Sequence, residues 1–151
     1  MKKLENEIFR NIGTLFRAIH SMNDIKYKEF QLQKGQFIFV TRVCENPGIT
    51  LVELARMLTV DKSTVTKAVT KLMNIGYIEK KNNEEDGRGF KLFPTKKALE
   101  VYNFIIDEEN RSIKLSMEGL TELEKENIKN LIEKMSKNTK EEWLKVKGGK
   151  K

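Results

Sequence analysis

A mainly helical chain carrying one small β-hairpin is what this sequence predicts, and three observations carry the prediction. Apolar residues recur at three- and four-residue spacing through most of the chain. Two S/T-x-x-E boxes, Thr50 with Glu53 and Thr121 with Glu124, mark helix starts. One stretch breaks the helical period: Tyr77–Lys81 and Phe90–Phe93 are rich in strand formers, and Asn82–Gly89 between them is polar and contains glycine.

The first helix is read from Leu4, Ile8, Ile12, Leu15, Ile19 and Met22, with Phe9 and Phe16 widening the stripe. That is too much apolar surface for one contact, so the helix is expected to pack on its own domain and on a second subunit. Asn23–Gln33 reads as a polar connection. Gly35–Glu45 is the next helix, with Phe37, Val40 and Cys44 along one side, and Asn46-Pro47-Gly48 ends it. Cys44 is the single cysteine; it cannot make an internal disulfide or a cysteine-rich zinc site, and it reads as a buried structural thiol.

Thr50 opens a third helix, with Ile49 and Leu54 spaced as a hydrophobic staple and Leu51, Leu54, Ala55 and Leu58 as the buried stripe. Thr59 and Val60 leave room only for a sharp turn. Asp61 is the expected N-cap of a fourth helix, Val60 and Val65 repeat the staple, and Val65, Ala68, Val69 and Leu72 face inward. Gly76 is placed to end that helix in the left-handed region. Its outer face carries Lys62, Ser63, Thr64, Thr66, Lys67, Thr70 and Lys71, with no acid after the cap. In a lone helix this would be an ordinary solvated face. Behind a capped helix and a tight turn, it reads as the recognition helix of a helix-turn-helix unit. Ser63, Thr64 and Lys67 are expected to read base edges, and Lys62, Lys71, Lys80 and Lys91 to hold phosphates.

Helix-turn-helix followed by a hairpin is a winged helix. At the hairpin tip, Asp86-Gly87-Arg88 offers a guanidinium suited to a narrow minor groove, with the Asp86 carboxylate near enough to steer it. The plainer alternative is a solvated turn with a local ion pair, worth little. A calcium loop is excluded: Asn82, Glu84, Asp86 and Gly87 match EF-hand positions, but the place of the bidentate glutamate is taken by Phe93.

Thr95 caps a long helix bearing Ala98, Val101, Tyr102, Ile105, Ile106 and Ile113. The chain breaks near Ser116–Gly119, and the second capping box precedes Leu131, Ile132, Met135 and Trp143. These wide stripes predict a twofold dimer interface shared with the first helix, the alternative being an intramolecular bundle. The expected division is a dimerisation helix and connection over 1–34, a winged helix over 35–95, dimerisation helices over 96–147 and a disordered lysine-rich tail over 148–151.

Composition narrows the function classes. With 38% apolar and 34% charged residues the chain is that of a soluble, helix-rich protein. No apolar run is long enough to span a membrane and no signal-like segment follows Met1-Lys2-Lys3, so a cytoplasmic location is expected. The net charge of +7 fits a nucleic-acid partner, but Lys145, Lys147, Lys150 and Lys151 supply four of it. Placement on the Lys62–Lys71 face is therefore the better guide. His20 is the only histidine, so there is no histidine cluster for a metal and no evident triad; no glycine-rich phosphate loop occurs either. No enzyme activity, cofactor or metal is expected.

From Leu51 to Thr95 the chain resembles the MarR family of transcription regulators. The resemblance rests on Gly-Tyr-Ile-Glu-Lys-Lys at Gly76–Lys81, Asp-x-Arg at Asp86–Arg88 and the helix-opening Thr95, with flanking helices in matching order. It departs at Pro94, where the family usually has leucine, and at Ala98, where glycine is common. The resemblance implies a homodimeric, sequence-specific binder of double-stranded DNA, most often a repressor, on a near-palindromic operator. It also implies a small aromatic or anionic effector in a cleft between the dimerisation helices and the winged helix. Phe16, Arg17, His20 and Phe37 are the expected lining, the rings stacking and Arg17 pairing an acid. The competing reading is a winged helix used for protein–protein contact without DNA. The hydroxyl-and-lysine face argues against it, since a protein interface would expose aromatics there.

Overall fold

The computed structural model describes residues 1–85, 87 and 89–148. Among these, the chain forms α1 (Ile8–Lys26), a 3₁₀ turn (Lys28–Phe30), α2 (Gln36–Glu45), α3 (Leu51–Leu58), α4 (Lys62–Asn74), β1 (Ile78–Asn82), β2 (Phe90–Pro94), α5 (Lys96–Ser116) and α6 (Glu122–Gly148). This is a winged helix with long helices before and after it.

Local chemistry sets the helix ends. The Thr50 hydroxyl accepts from the Glu53 N–H at 3.2 Å, and the Glu53 carboxylate accepts from the Thr50 N–H at 2.8 Å. The Thr50 N–H and the Thr50 hydroxyl both donate to that carboxylate and hold it below its usual range, and loss of such a cap costs about 1 kcal/mol. At the end of α4 the Tyr77 N–H reaches the Leu72 carbonyl at 2.8 Å and the Gly76 N–H the Met73 carbonyl at 3.1 Å. With Gly76 at φ +81° this is a Schellman closure, completed by the buried pair Leu72 and Tyr77.

The core gathers Leu54 and Ala55 of α3, Val65, Ala68, Val69 and Leu72 of α4, and Phe37, Val40 and Val43 of α2. The inward face of α5 adds Ala98, Val101 and Ile105. β1 and β2 pair from Ile78↔Pro94 to Asn82↔Phe90. Pro94 sits at the last rung, where its missing donor interrupts nothing further along the ladder. Ile49 bridges Leu92, with the Leu92 N–H on the Ile49 carbonyl at 2.9 Å and the Gly48 N–H on the Leu92 carbonyl at 2.8 Å. The wing is thereby tied to the segment that enters α3.

Four expectations need correction. Helix α1 starts at Ile8, so exposed Leu4 lies outside it; the Asn6 carboxamide accepts the Ile8 N–H and caps the chain there. The segment read as a polar connection buries Tyr27 and Leu32 completely. The chain turns back on itself, with the Leu32 N–H on the Tyr27 carbonyl, and both apolar side chains point inward. Asp61 occupies the N-cap position of α4 but makes no side-chain cap; its carboxylate instead meets the Lys147 ammonium of α6 at 2.8 Å. Finally, α6 continues to Gly148, the first residue of the expected tail, and 149–151 lie outside the described residues.

Candidate nucleic-acid interface

The helix α4 turns one face to the core and the other to solvent. Val65, Ala68, Val69 and Leu72 are buried, and Lys62, Ser63, Thr64, Thr66, Lys67, Thr70 and Lys71 are all exposed. Among the described residues none of the three lysines has an ion-pair partner within 4 Å, so the face carries three uncompensated cations. The hydroxyls divide. Thr66 donates to the Lys62 carbonyl and Thr70 to the Thr66 carbonyl, both at 2.8 Å. Their protons are spent within the helix, which leaves them as acceptors toward base amino groups rather than donors to phosphate. Ser63 and Thr64 make no such bond among the described residues.

On the wing, the Lys80 ammonium lies over the Phe90 ring at 4.2 Å, in reach of solvent. Lys81 pairs with Glu79 at 3.2 Å. Lys91 is engaged: its ammonium meets the Glu85 carboxylate at 2.8 Å, and its side chain is only 29% exposed. That contact holds the Glu85 carboxyl below its usual range. Asp86 and Arg88 lie outside the described residues.

A second feature opens behind the winged helix, between α1, α2 and α5. It is a cleft of about 470 Å³ whose lining includes Phe16, His20, Phe37, Asn23, Arg42 and Glu109. The rings form a row, with centroids 5.3 Å apart for Phe16–His20 and 6.2 Å for His20–Phe37. Gly35 makes the row possible: at φ +74° its position would put a Cβ 3.2 Å from the His20 Cε1. Arg42 pairs with Glu45 at 2.7 Å. Glu109 has no ion-pair partner within 4 Å among the described residues, and burial pushes its carboxyl up from the usual range against the pull of Arg42. Asn23 is 2% exposed, and its Oδ1 is buried with no hydrogen-bond partner.

The comparisons with known proteins agree with one another. A family model described as MarR family matches residues 32–90. The uncharacterized HTH-type transcriptional regulator YybA of Bacillus subtilis is 38% identical over 146 residues, covering 97% of each chain. The chain belongs to the MarR family. Among solved structures, a MarR protein of Peptoclostridium difficile is 57% identical with a TM-score of 0.93, over 97% of this chain and 95% of that one. A MarR-family transcriptional regulator of Listeria monocytogenes, solved in complex with a 26-mer DNA, is 37% identical with a TM-score of 0.90, over 100% of this chain and 98% of that one. As a MarR-family member the chain is a transcriptional regulator rather than an enzyme.

Within this MarR-family frame, the residues singled out from sequence are distributed as follows. Lys62, Ser63, Thr64, Thr66, Lys67 and Lys71 share the open face of α4, and Lys80 stands on the wing. Lys91, also expected to hold a phosphate, is paired with the Glu85 carboxylate in the DNA-free chain. Phe16, His20 and Phe37 come together at the cleft, but Arg17 does not join them. Arg17 lines a neighbouring depression with Phe16, His20 and Asp24. Sequence reading missed Asn23, Arg42 and Glu109. Glu109 lies four residues after Ile105 and three after Ile106, a spacing that marks a partly inward position, but an acid amid a charged helical run carries no signal of burial. Cys44 packs against the core but is only partly buried, not fully as expected; that burial, with the Glu45 carboxylate beside it, pushes its thiol up to about 11.

Proposed function

We propose that the chain is a homodimeric repressor that binds a near-palindromic operator in the cytoplasm and responds to a small aromatic effector. The observation that carries the DNA reading is the open face of α4, three exposed lysines with no ion-pair partner among the described residues, interleaved with hydroxyls on a helix presented by a helix-turn-helix. Such a face offers cations to phosphates and short polar groups to base edges at once. In this reading Ser63, Thr64 and Lys67 contact bases, Lys62, Lys71 and Lys80 hold phosphates, and Arg88, steered by Asp86, enters the minor groove.

Support for the dimer comes from α6, which buries none of its residues in the single chain. Leu123, Leu131, Ile132 and Val146 stay exposed there, as do Phe9 and Leu15 on α1. In proteins most of a helix's stability comes from packing an apolar face, and α6 has such a face with nothing against it in the single chain. We therefore assign 1–34 and 96–147 to dimerisation and 35–95 to the DNA-binding lobe. The ring row in the cleft supports an aromatic effector. Arg17, the expected cationic partner for an acid group on the effector, lines the neighbouring depression instead.

No helix among the described residues is long and apolar enough to cross a membrane, which accords with the cytoplasmic assignment.

The test is selection of bound duplexes from a random pool by the purified chain. An inverted repeat with half-sites about one helical turn apart should be enriched. Recovery of unenriched pool, or binding insensitive to salt, overturns the reading. Lys67→Ala should change the enriched sequence, whereas Lys62→Ala should weaken all duplexes alike and lower the salt slope by about one unit.

A further inference from the structure

Two residues that line the effector cleft, Asn23 and Glu109, carry hydrogen-bond acceptors without a partner among the described residues. Asn23 Oδ1 is buried without a donor, a condition that natural interiors rarely leave standing. The Glu109 carboxylate, from α5 on the other side of the cleft, also lacks a cation within ion-pair distance among the described residues. The remaining charges are committed elsewhere. Arg42 is held by Glu45 at 2.7 Å, and His20, the other titratable group among the described lining residues, is 3.9 Å from Asp24 on its own helix. An anion entering here would meet an unpaired carboxylate and find the one guanidinium already occupied.

Resting on the effector reading above, we propose that the cleft takes a flat aromatic ligand bearing a protonated amine, with Glu109 as counter-ion and Asn23 Oδ1 as acceptor. The ring of the ligand lies along Phe16 and Phe37, whose faces also attract a cation. Its ammonium carries three donors, enough for both orphaned acceptors. Burial of Glu109 works in the same direction: the carboxyl is pushed above its ordinary range when the cleft is empty, and a bound cation restores its charged form. The aromatic walls thus set the shape of the ligand, and the acceptors set the sign of its charge.

The experiment uses the full chain and three probes of one shape: 1-naphthylmethylammonium, 1-naphthalenemethanol and 1-naphthoate, titrated by calorimetry and by competition in operator binding. The ammonium should bind at least about tenfold tighter than the alcohol, in keeping with charged over neutral hydrogen bonds, and naphthoate should bind weakest. Glu109→Gln should abolish the preference for the ammonium, bringing it to the level of the alcohol. Asn23→Leu should weaken both donors. Each variant is compared with wild type for melting temperature and operator affinity, and Phe16→Ala, at the cleft mouth, should weaken all three probes. Naphthoate binding tightest, or an ammonium preference that survives Glu109→Gln, overturns the charge assignment and leaves the cleft as an effector site. Failure of every probe to bind at millimolar concentration overturns the effector site itself.

Discussion

Glu85 is expected to act as an internal brake on DNA binding by the wing. Its carboxylate holds the Lys91 ammonium at 2.8 Å, and Lys91 also stands near enough to Glu53 to help lower that carboxyl. In the wild type, a phosphate must therefore compete with two carboxylates for Lys91. Glu85→Gln removes the nearer one and frees the lysine. Each phosphate neutralised adds about 0.9 to the magnitude of the slope of log affinity against log salt. Freeing one contact should steepen the slope by that amount. Between about 50 mM and 200 mM salt the variant then loses about three- to fourfold more affinity than wild type does. The measurement is fluorescence anisotropy on operator duplex across that range, with the double-mutant cycle completed by Lys91→Ala. In wild type, Lys91→Ala should change the slope little; in the Glu85→Gln background it should return the slope to the wild-type value. A full-unit loss of slope from Lys91→Ala alone would show that Lys91 already holds a phosphate and that the pair is broken on binding.

Three further outcomes follow from the fold. Tyr77 is buried and its hydroxyl donates to the Phe30 carbonyl at 2.9 Å; Tyr77→Phe should cost about 1 kcal/mol and lower Tm by about 2–4 °C, and an unchanged Tm in calorimetry would contradict the bond. Gly76→Ala meets no atom nearer than the Lys97 Cδ at 4.0 Å, so its expected cost of about 1 kcal/mol is backbone strain alone. Gly76→Asn should then cost less in a denaturant titration, because asparagine tolerates the left-handed region. Glu109→Gln should raise thermal stability at neutral pH but not in acid. A carboxyl whose folded pKa is raised binds its proton more tightly in the native state, so stability is lost as pH rises from the ordinary glutamate range through the folded value. A melting curve series across pH checks this, and equal gains at all pH values would refute it.

The legible part of the sequence was the part governed by local rules. Thr50 with Glu53 and Thr121 with Glu124 form the expected boxes. Gly76 ends α4 in the left-handed region, and the α4 stripe faces the core. Each of these depends on neighbours within one or two turns, which spacing alone can show. Long-range contacts were not legible. Tyr27 and Leu32 sit among polar residues, and only the return of the chain after α1 points both inward. Lys147 takes Asp61 from across the molecule, so a good cap residue does not cap. Lys91 and Glu85 face each other only because the hairpin folds back. The cleft shows the same division: Phe16, His20 and Phe37 stand out as aromatic positions, but Asn23 and Glu109 owe their significance to burial that no local pattern encodes.

The path from the cleft to the recognition helix can be followed bond by bond along α5. Glu109 stands in the middle of that helix, and the same helix begins at Thr95, whose hydroxyl donates to the Gly76 carbonyl at 2.7 Å and accepts from the Ala98 N–H. Two residues on, the Lys97 ammonium meets the Ile75 carbonyl at 2.7 Å and lies 4.4 Å from the centre of the Tyr77 ring. Ile75, Gly76 and Tyr77 are the residues that close α4. The start of α5 is therefore fastened to the end of the helix proposed to read DNA, while its middle forms one wall of the cleft. A ligand that draws Glu109 toward α1 acts on a continuous rod whose other end is pinned to α4. If α5 tilted, these contacts to three consecutive residues would couple the tilt to the recognition helix directly, beside the packing of Ala98, Val101 and Ile105 in the core. In a twofold dimer both recognition helices would move together, and the spacing between them, on which a two-half-site operator depends, would change by twice the displacement of one.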